Sequence, residues 1–296
     1  MRVAFLGPAG TFTEEALRAS APEQVDEVPY PTVYETVMAV QDGDADRAVV
    51  PIENSLEGGV AATLDALAVE AEEVLISAEV IHPIHHCLVA ARELALDEVE
   101  RVVSHPQATA QCARFLRERL PQAERVSAPS TADAVRSLHQ GGGRLAALGS
   151  RLSADLYDGV VLAADVEDRP DNLTRFVWLA RASDVGVPPP PAKTSVVFWG
   201  FNDESPGALV DVLSEFARRG INLTRIESRP RRVRLGHYMF FADLEGATAD
   251  AHVREALEGL RGRVETLRVL GSYSAARYTG PHRGGTAGSI GEHRGG

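Results

Sequence analysis

The residues of this chain that are best suited to chemistry stand together in the run DNLTRFVWLA, at 171 to 180. Thr174 supplies a hydroxyl and Arg175 a guanidinium where a polar loop becomes an apolar strand, and Phe176 follows them. Open α/β sheets bind their ligands at the mouths of their strands. The triplet is therefore a candidate catalytic site, with two solvated residues at a strand start as the ordinary alternative.

A second polar segment lies at the first helix start. The loop GPAG leads out of the strand RVAFL, and Thr11 with Glu14 has the spacing of a capping box. The run SHPQ at 104 to 107 repeats that spacing. Helix N-termini attract anions, so two such starts facing one cleft would suit a substrate with two carboxylates. Structural capping alone is the alternative.

A third polar segment, Glu53-Asn54-Ser55, directly follows the strand RAVVP. Asn54 and Ser55 can donate hydrogen bonds to a carboxylate or keto oxygen. Glu53 would repel an anion unless it is turned away or paired. A polar turn before the next helix explains the same residues without any ligand.

Four motifs occur in order along the chain: GPAGTFTEEAL at 7 to 17, PIENSLEGG at 51 to 59, SHPQATAQC at 104 to 112, and the Thr-Arg-Phe triplet. Together they resemble the prephenate dehydratase family, from about Met1 to Ser272. The resemblance implies decarboxylative dehydration of prephenate to phenylpyruvate, CO2 and water in L-phenylalanine biosynthesis, without a cofactor. It favours substrate contacts by Thr11, Asn54, Ser55, Ser104, His105 and Gln107.

The implied 1,4-elimination needs a proton donor at the departing hydroxyl and a fixed geometry for two carboxylates. Thr174 is the predicted donor, acting by hydrogen bonding rather than by complete proton transfer. Arg175 either clamps a carboxylate bidentately, or pairs with Asp171 or another acid and only orients Thr174. Phe176 is predicted to pack beside the substrate ring.

The run IHPIHHC at 81 to 87 contains a histidine cluster, His82, His85 and His86, beside Cys87. Successive strand residues project to opposite faces, so at most two of these side chains could share one ion. We therefore expect no metal site. His105 is a different case, because an imidazole at a helix start can carry a proton as well as cap the helix.

Composition narrows the function classes. The chain has 296 residues, a formal net charge of -12, 44% hydrophobic and 24% charged residues. That charge argues against binding to nucleic acid, because no basic field is present. No apolar run is long enough for a signal peptide or a membrane span, which predicts a cytoplasmic protein. Cys87 and Cys112 are expected to be reduced core residues.

Residues 1–182 alternate β-branched strands with amphipathic helices, which predicts an α/β region with mainly parallel pairing. The family resemblance implies two periplasmic-binding-protein-like lobes with the site in the cleft between them. The second lobe would be inserted at about 80–160.

A break follows at 183–192, where Pro188 to Pro191 favour a stiff spacer. Residues 193–272 then read as βαββαβ, the ferredoxin-like split. Ser205 is the expected cap of its first helix, with Pro206 in the first turn. The glycine-rich segment 279–296 is predicted to be a disordered tail.

The C-terminal module carries two motifs that look like GALV and ESRP of a phenylalanine-sensing ACT domain: Gly207, Ala208, Leu209 and Val210, then Glu227, Ser228, Arg229 and Pro230. This implies L-phenylalanine as an allosteric effector bound between subunits of a homodimer or homotetramer. A purely structural dimerisation module is the alternative.

Two rival functions stay open at this point. Arogenate dehydratase differs only by an amino group on the substrate, and a non-catalytic sensor would combine a binding cleft with an amino-acid-binding module. Because the first strand begins at Arg2, we expect no helical chorismate mutase domain ahead of it and hence a monofunctional enzyme.

Overall fold

The computed structural model describes residues 1–22, 24–201 and 205–276 as a mixed α/β molecule with two sheets. The predicted tail at 279–296 lies outside the described residues. Within them, no helix is long and apolar enough to cross a membrane.

The first lobe is built on a sheet whose strands stand in the order β2-β1-β3-β11-β5. These strands are β1 Arg2–Leu6, β2 Asp26–Tyr30, β3 Arg47–Asn54, β5 Val74–Pro83 and β11 Leu173–Arg181, and a short β4, Gly58–Gly59, pairs with β3. The helices are α1 Phe12–Ser20, α2 Val33–Asp42 and α3 Ala61–Asp65, the last followed by a π-helical turn at Ala66–Glu70.

The second lobe has its own sheet, in the order β10-β6-β9-β7-β8. Its strands are β6 Cys87–Ala90, β7 Arg101–Ser104, β8 Glu124–Ser127, β9 Leu145–Gly149 and β10 Val160–Ala163. Its helices are α4 Pro106–Gln111, α5 Ala113–Arg119, α6 Thr131–Arg136 and α7 Arg151–Leu156. The chain passes between the lobes twice, at 84–86 and at 164–172.

The two-lobed α/β architecture is thus confirmed, but the prediction of mainly parallel pairing is wrong. In the first lobe, β1 is parallel to β2 and β3, whereas β11 is antiparallel to both β3 and β5. The chain returns from the second lobe at the cleft, so β11 starts there and runs against its neighbours. Thr174, near its start, consequently lies beside Asn54 at the end of β3.

The C-terminal module has the predicted βαββαβ order. Its elements are β12 Ala192–Trp199, α8 Ala208–Ala217, β13 Leu223–Pro230, β14 Tyr238–Glu245, α9 Ala251–Arg261 and β15 Thr266–Ser274, with strand order β13-β14-β12-β15. The expected Ser205 cap is wrong. Gly207 is the N-cap of α8, at φ 87°, and the Ser205 carbonyl instead accepts a turn hydrogen bond from the Ala208 amide at 3.2 Å.

This module is joined to the first lobe by more than its linker. Strand β15 pairs with β5 in parallel at Gly271 and Ile76, which makes one continuous sheet. A Cβ atom at position 271 would lie 2.3 Å from the Ile76 carbonyl oxygen, so only glycine permits this approach. Apolar side chains of the module, including Phe241 and Tyr273, share a core with β3 and β11 of the first lobe.

Candidate functional site

A cavity of about 330 Å³ lies between the two lobes. Among the predicted site residues, Thr11, Asn54, His105, Gln107, Thr174 and Phe176 line it. The remaining wall includes apolar side chains such as Leu6, Val33, Val60 and Ile84. The cavity is therefore polar at the strand ends and helix starts and apolar elsewhere, as a pocket for a ring with polar substituents should be.

Thr174 is buried in this wall, with 7% of its surface exposed. Its Oγ1 accepts a hydrogen bond from Nδ2 of Asn54 at 2.8 Å. Nothing in the described part of the chain accepts a hydrogen bond from the Thr174 hydroxyl. The proton of that hydroxyl is thus free to be donated to a ligand.

Arg175 lies on the opposite face of β11, which corrects the carboxylate-clamp hypothesis. Its guanidinium donates to Glu53 at 3.0 Å, to Glu79 at 3.0 Å and to Asp243 of the C-terminal module at 2.7 Å. Burial opposes its charge, but Asp243 and the other acids outweigh burial and raise the pKa of Arg175. The alternative that it pairs with an acid is correct, although Asp171 pairs with Arg169 instead.

The neighbours of Asn54 have structural partners. Glu53 is paired with Arg175, and its carboxylate also lies 3.7 Å from Arg225, so it is turned away from the cavity as its charge requires. Ser55 is exposed and is not among the residues that line the cavity, so the structure does not bring it together with the other predicted contacts. Its Oγ accepts from the Leu173 amide at 3.0 Å and so closes the loop onto the start of β11.

The start of α1 has the predicted cap. Thr11 Oγ1 accepts from the Glu14 amide at 3.4 Å and donates to the Leu6 carbonyl at 2.8 Å. The Glu14 carboxylate reaches the Gly10 amide at 2.5 Å rather than that of Thr11. Burial raises the pKa of Glu14. The amides of Phe12 and Thr13, two residues of the cavity wall, have no intrahelical partner and remain available there.

The start of α4 differs from the prediction. Its N-cap is His105, whose Nδ1 accepts from the Gln107 amide at 3.3 Å. Ser104 is the last residue of β7, fully buried, and donates to the Leu148 carbonyl at 3.0 Å. Ser104 is therefore not among the residues that line the cavity, because its side chain points into the lobe core.

Six further polar residues of the cavity wall were not predicted: Thr13, His86, Gln111, Ser130, Thr131 and Asn172. Ser130 caps α6 by accepting from the Asp133 amide at 2.9 Å, and its spacing to Asp133 was a visible signal. Asn172 stood two residues before Thr174. His86 stood in the histidine cluster and Gln111 in the motif SHPQATAQC, but neither pattern indicated that the two side chains would reach the cavity.

The cavity is lined by side chains without a formal charge. The lining residues within the described ranges include no lysine, arginine, aspartate or glutamate. Burial lowers the pKa of His86, more than its hydrogen bond with Gln111 raises it, which favours the neutral imidazole. Any anionic group must be held here by amide and hydroxyl donors and helix-start amides.

The histidine cluster is separated in the structure. His82 faces Glu15 at 3.2 Å, His86 lines the cavity, and Cys87 is buried, which raises its pKa. His85 Nδ1 lies 2.8 Å from Glu167 and 3.8 Å from Asp165. These last three residues place ligand atoms within 4.8 Å of one another outside the cavity, and the Glu167 carboxylate is already bonded to His85 and the His86 amide.

The proposed effector motifs lie at the start of α8 and on the edge strand β13. On β13, Glu227 and Arg229 face the first lobe. Arg229 donates to both oxygens of Asp65 in that lobe, at 2.7 and 2.9 Å. Glu227 pairs with Arg225 of the same strand. Ser228 is exposed on the other face. In the GALV segment, Val210 is 66% exposed. Strand β13 is the edge of its sheet.

Comparisons with known proteins agree with this architecture. The family model for prephenate dehydratase matches residues 3–184, and that for the ACT domain matches 198–262. A prephenate dehydratase from Amycolatopsis methanolica is 40% identical over 93% of this chain and 89% of its own length.

Two solved structures resemble the whole molecule. Prephenate dehydratase from Arthrobacter aurescens in complex with L-Phe is 41% identical, with a TM-score of 0.85 over 93% of this chain and 90% of that chain. A quorum quenching acylase is 31% identical, with a TM-score of 0.82 over 93% of this chain and 98% of that chain. One family model spans more than half of the chain, and a member of that family is 40% identical along nearly the full length of both chains, so the chain belongs to the prephenate dehydratase family.

Proposed function

We propose that this chain is a prephenate dehydratase that converts prephenate to phenylpyruvate, CO2 and water. The observation that carries the proposal is the Thr174 hydroxyl, whose oxygen is occupied by Asn54 and whose proton is free to be donated into the cavity. Loss of CO2 releases the electron pair that aromatises the ring, and the ring C–O bond breaks as its oxygen gains a proton. A hydrogen bond to that oxygen stabilises the developing charge.

The two carboxylates of prephenate find uncharged donors. The amides at the start of α1, next to Thr11, stand on the first lobe, and Gln107 and Thr131 stand on the second, whereas the Ser130 hydroxyl already donates to the Asp133 carboxylate at 2.8 Å. Donors from both lobes can hold a dianion only when the lobes are close. We propose that Phe176, 2% exposed in the cavity wall, packs beside the ring.

The same wall favours prephenate over arogenate. A bound ammonium group needs an acid or several oxygen acceptors, and the lining residues in the described ranges include neither aspartate nor glutamate. Prephenate presents a keto oxygen there instead, which needs only a hydroxyl or amide donor. The expected result is a much higher kcat/KM for prephenate than for arogenate.

An acylase activity, known for one structural relative, has weaker support. Nucleophilic acyl transfer needs a hydroxyl or thiol beside a base. The two histidines of the cavity instead bond to Gln111 and to the Gln107 amide.

Substitution of Thr174 tests the proposal. Thr174→Ala should lower kcat by roughly 10²- to 10³-fold with little change in KM, because it removes a donor that acts in the transition state. Thr174→Ser keeps the hydroxyl and should retain substantial activity. Phenylpyruvate absorbance follows turnover. A wild-type chain that binds prephenate without turnover would be a sensor, and near-wild-type kcat in the alanine variant would falsify the donor role.

We further propose that residues 1–182 form the catalytic part, 183–192 the linker and 193–272 the ACT regulatory module, with L-phenylalanine as effector. Support comes from the relative that binds L-Phe and from the exposed Ser228 and Val210 beside an open sheet edge. Edge strands are sites for pairing with a second chain. A homodimer or homotetramer and a cytoplasmic location remain predictions.

A further inference from the structure

A chain of side-chain hydrogen bonds begins at Asn54, and backbone groups set its direction. Oδ1 of Asn54 accepts from the Leu56 amide at 2.9 Å and from the Glu57 amide at 3.1 Å. Backbone N–H groups can only donate. The Asn54 side chain therefore cannot be flipped, and its Nδ2 must be the donor toward its other neighbours.

The donor-to-acceptor direction fixed at Asn54 determines the direction of the next hydrogen bonds across the cleft. Nδ2 of Asn54 donates to Oδ1 of Asn172 at 2.8 Å, as well as to Thr174. Because that oxygen of Asn172 is an acceptor, its other end is the donor, and Nδ2 of Asn172 donates to Oε1 of Gln111 at 3.1 Å.

The last link ends on His86. Its Nε2 lies 3.1 Å from the same Oε1 of Gln111. An amide oxygen only accepts, so Nε2 must carry the ring proton and Nδ1 must be bare. Nδ1 is buried and has no hydrogen-bond partner among the described residues, which agrees with a nitrogen that holds no proton.

We propose that Asn172 and His86 are positioning residues: two backbone amides, acting through Asn54 and Asn172, lock His86 in its Nε2–H tautomer and at the same time hold Thr174 with its proton free for the substrate. The part that concerns Thr174 rests on the proposed function, whereas the tautomer does not. This series of hydrogen bonds joins β3 and β11 of the first lobe to α4 of the second lobe and to the passage between β5 and β6.

Burial makes the arrangement rigid. Asn172 is 1% exposed and His86 is 2% exposed, and the Phe12 ring stands edge-on to the imidazole at 5.3 Å. A buried amide or imidazole that lost its partner would leave an unsatisfied polar group, so the links are held together rather than exchanged with water.

The tautomer can be measured directly on the full chain. In long-range proton–nitrogen NMR spectra of the ¹⁵N-labelled protein, His86 should show a protonated Nε2 and a bare Nδ1. The chain has nine histidines, so the His86→Gln variant identifies the signals by their loss. A His86 with its proton on Nδ1 in the wild type would overturn the proposal.

Asn172→Asp provides the decisive variant. The new carboxylate still accepts from Asn54 but cannot donate to Gln111. Gln111 must then turn its NH2 group toward the carboxylate and toward Nε2 of His86, so the His86 proton should move to Nδ1. An unchanged tautomer in a variant with a wild-type Tm would show that Asn172 does not set the direction.

Kinetics test the effect on Thr174. Asn172→Leu, of similar size but without hydrogen bonds, releases Asn54 and should lower kcat roughly tenfold relative to the wild type, with similar KM. A wild-type kcat in Asn172→Leu would refute the link to Thr174. If the wild type fails to turn over prephenate, the proposed function fails while the NMR result still decides the tautomer.

Discussion

The guanidinium of Arg175 binds carboxylates from three different elements, β3, β5 and β14. Two of these acids, Glu79 and Asp243, have side chains that are almost fully buried. Asp243 is also bonded to Ser195 at 2.5 Å, and Glu79 to Lys193 at 2.8 Å. The residue next to the proposed catalytic threonine is thus the centre of an ion-pair network that reaches into the regulatory module.

Arg175→Met should destabilise the protein by about 3 to 5 kcal/mol, because buried carboxylates lose a cation partner. The urea midpoint of unfolding is the measurement. Arg169→Met is a matched control, since Arg169 pairs with Asp171 on the surface, and it should leave the midpoint nearly unchanged. Equal midpoints in the two variants would show that the network contributes no stability.

Part of this arrangement was predictable from sequence. Alternation along a strand places Thr174 and Phe176 on one face and Arg175 on the other. Arg175 therefore cannot line a cavity that Thr174 faces. Its main partner could not be predicted, because Asp243 lies 68 residues away in another module, and no local pattern reports a contact over that separation.

At the scale of elements, strands were predicted where β-branched runs are long or distinctive, as in β3 and β11. The strands β2, β8, β9 and β10 have only four or five residues and no such run. Segments this short cannot be told from helix or loop by periodicity. Helical spacing of apolar residues continues across Cys112, yet the structure ends α4 before that residue and begins α5 after it, a tertiary effect that amphipathic spacing does not show.

Strand β13 of the regulatory module rests on the catalytic part through Arg229 and Asp65. For Arg229 to contact an amino-acid effector, it must first leave Asp65. Breaking this ion pair costs free energy, and Asp65→Asn removes most of that cost. Half-maximal inhibition should then require roughly two- to fivefold less phenylalanine, with uninhibited kcat nearly unchanged.

Inhibition curves at several phenylalanine concentrations measure this shift. Arg232→Ala serves as the control, because Arg232 also touches Asp65 but is mostly exposed, and its curve should stay close to that of the wild type. A weaker inhibition in Asp65→Asn would mean that the pair supports effector binding instead of competing with it.

At the scale of the whole molecule, the proline segment is not the main mechanical connection. Strands β15 and β5 share one sheet, and Lys193 and Asp243 bond to groups of the first lobe. A stiff spacer can transmit the orientation of the module to the first lobe, and the shared sheet provides a second route for the same coupling.

Two variants separate these routes. Replacing Pro188 to Pro191 by serine should leave phenylalanine inhibition largely intact, whereas Gly271→Val should lower Tm and weaken inhibition, because its side chain would collide with the Ile76 carbonyl. Calorimetric titration with phenylalanine and turnover assays provide both readouts. Loss of inhibition in the serine variant alone would return the coupling to the linker.

The close approach of Gly271 to Ile76 also bears on modularity. Two family models match this chain as successive units, which suggests parts that can be exchanged. Yet a catalytic fragment that ends at the linker would leave β5 as an exposed edge strand. Its backbone would be unpaired beside Val74 and Ile76, which are buried in the full chain, and such an edge promotes self-association. Arg175 would keep Glu79 but lose Asp243. In this chain the regulatory unit is therefore part of the catalytic scaffold, and transplanting it between enzymes would require the recipient's border strand to be redesigned as well.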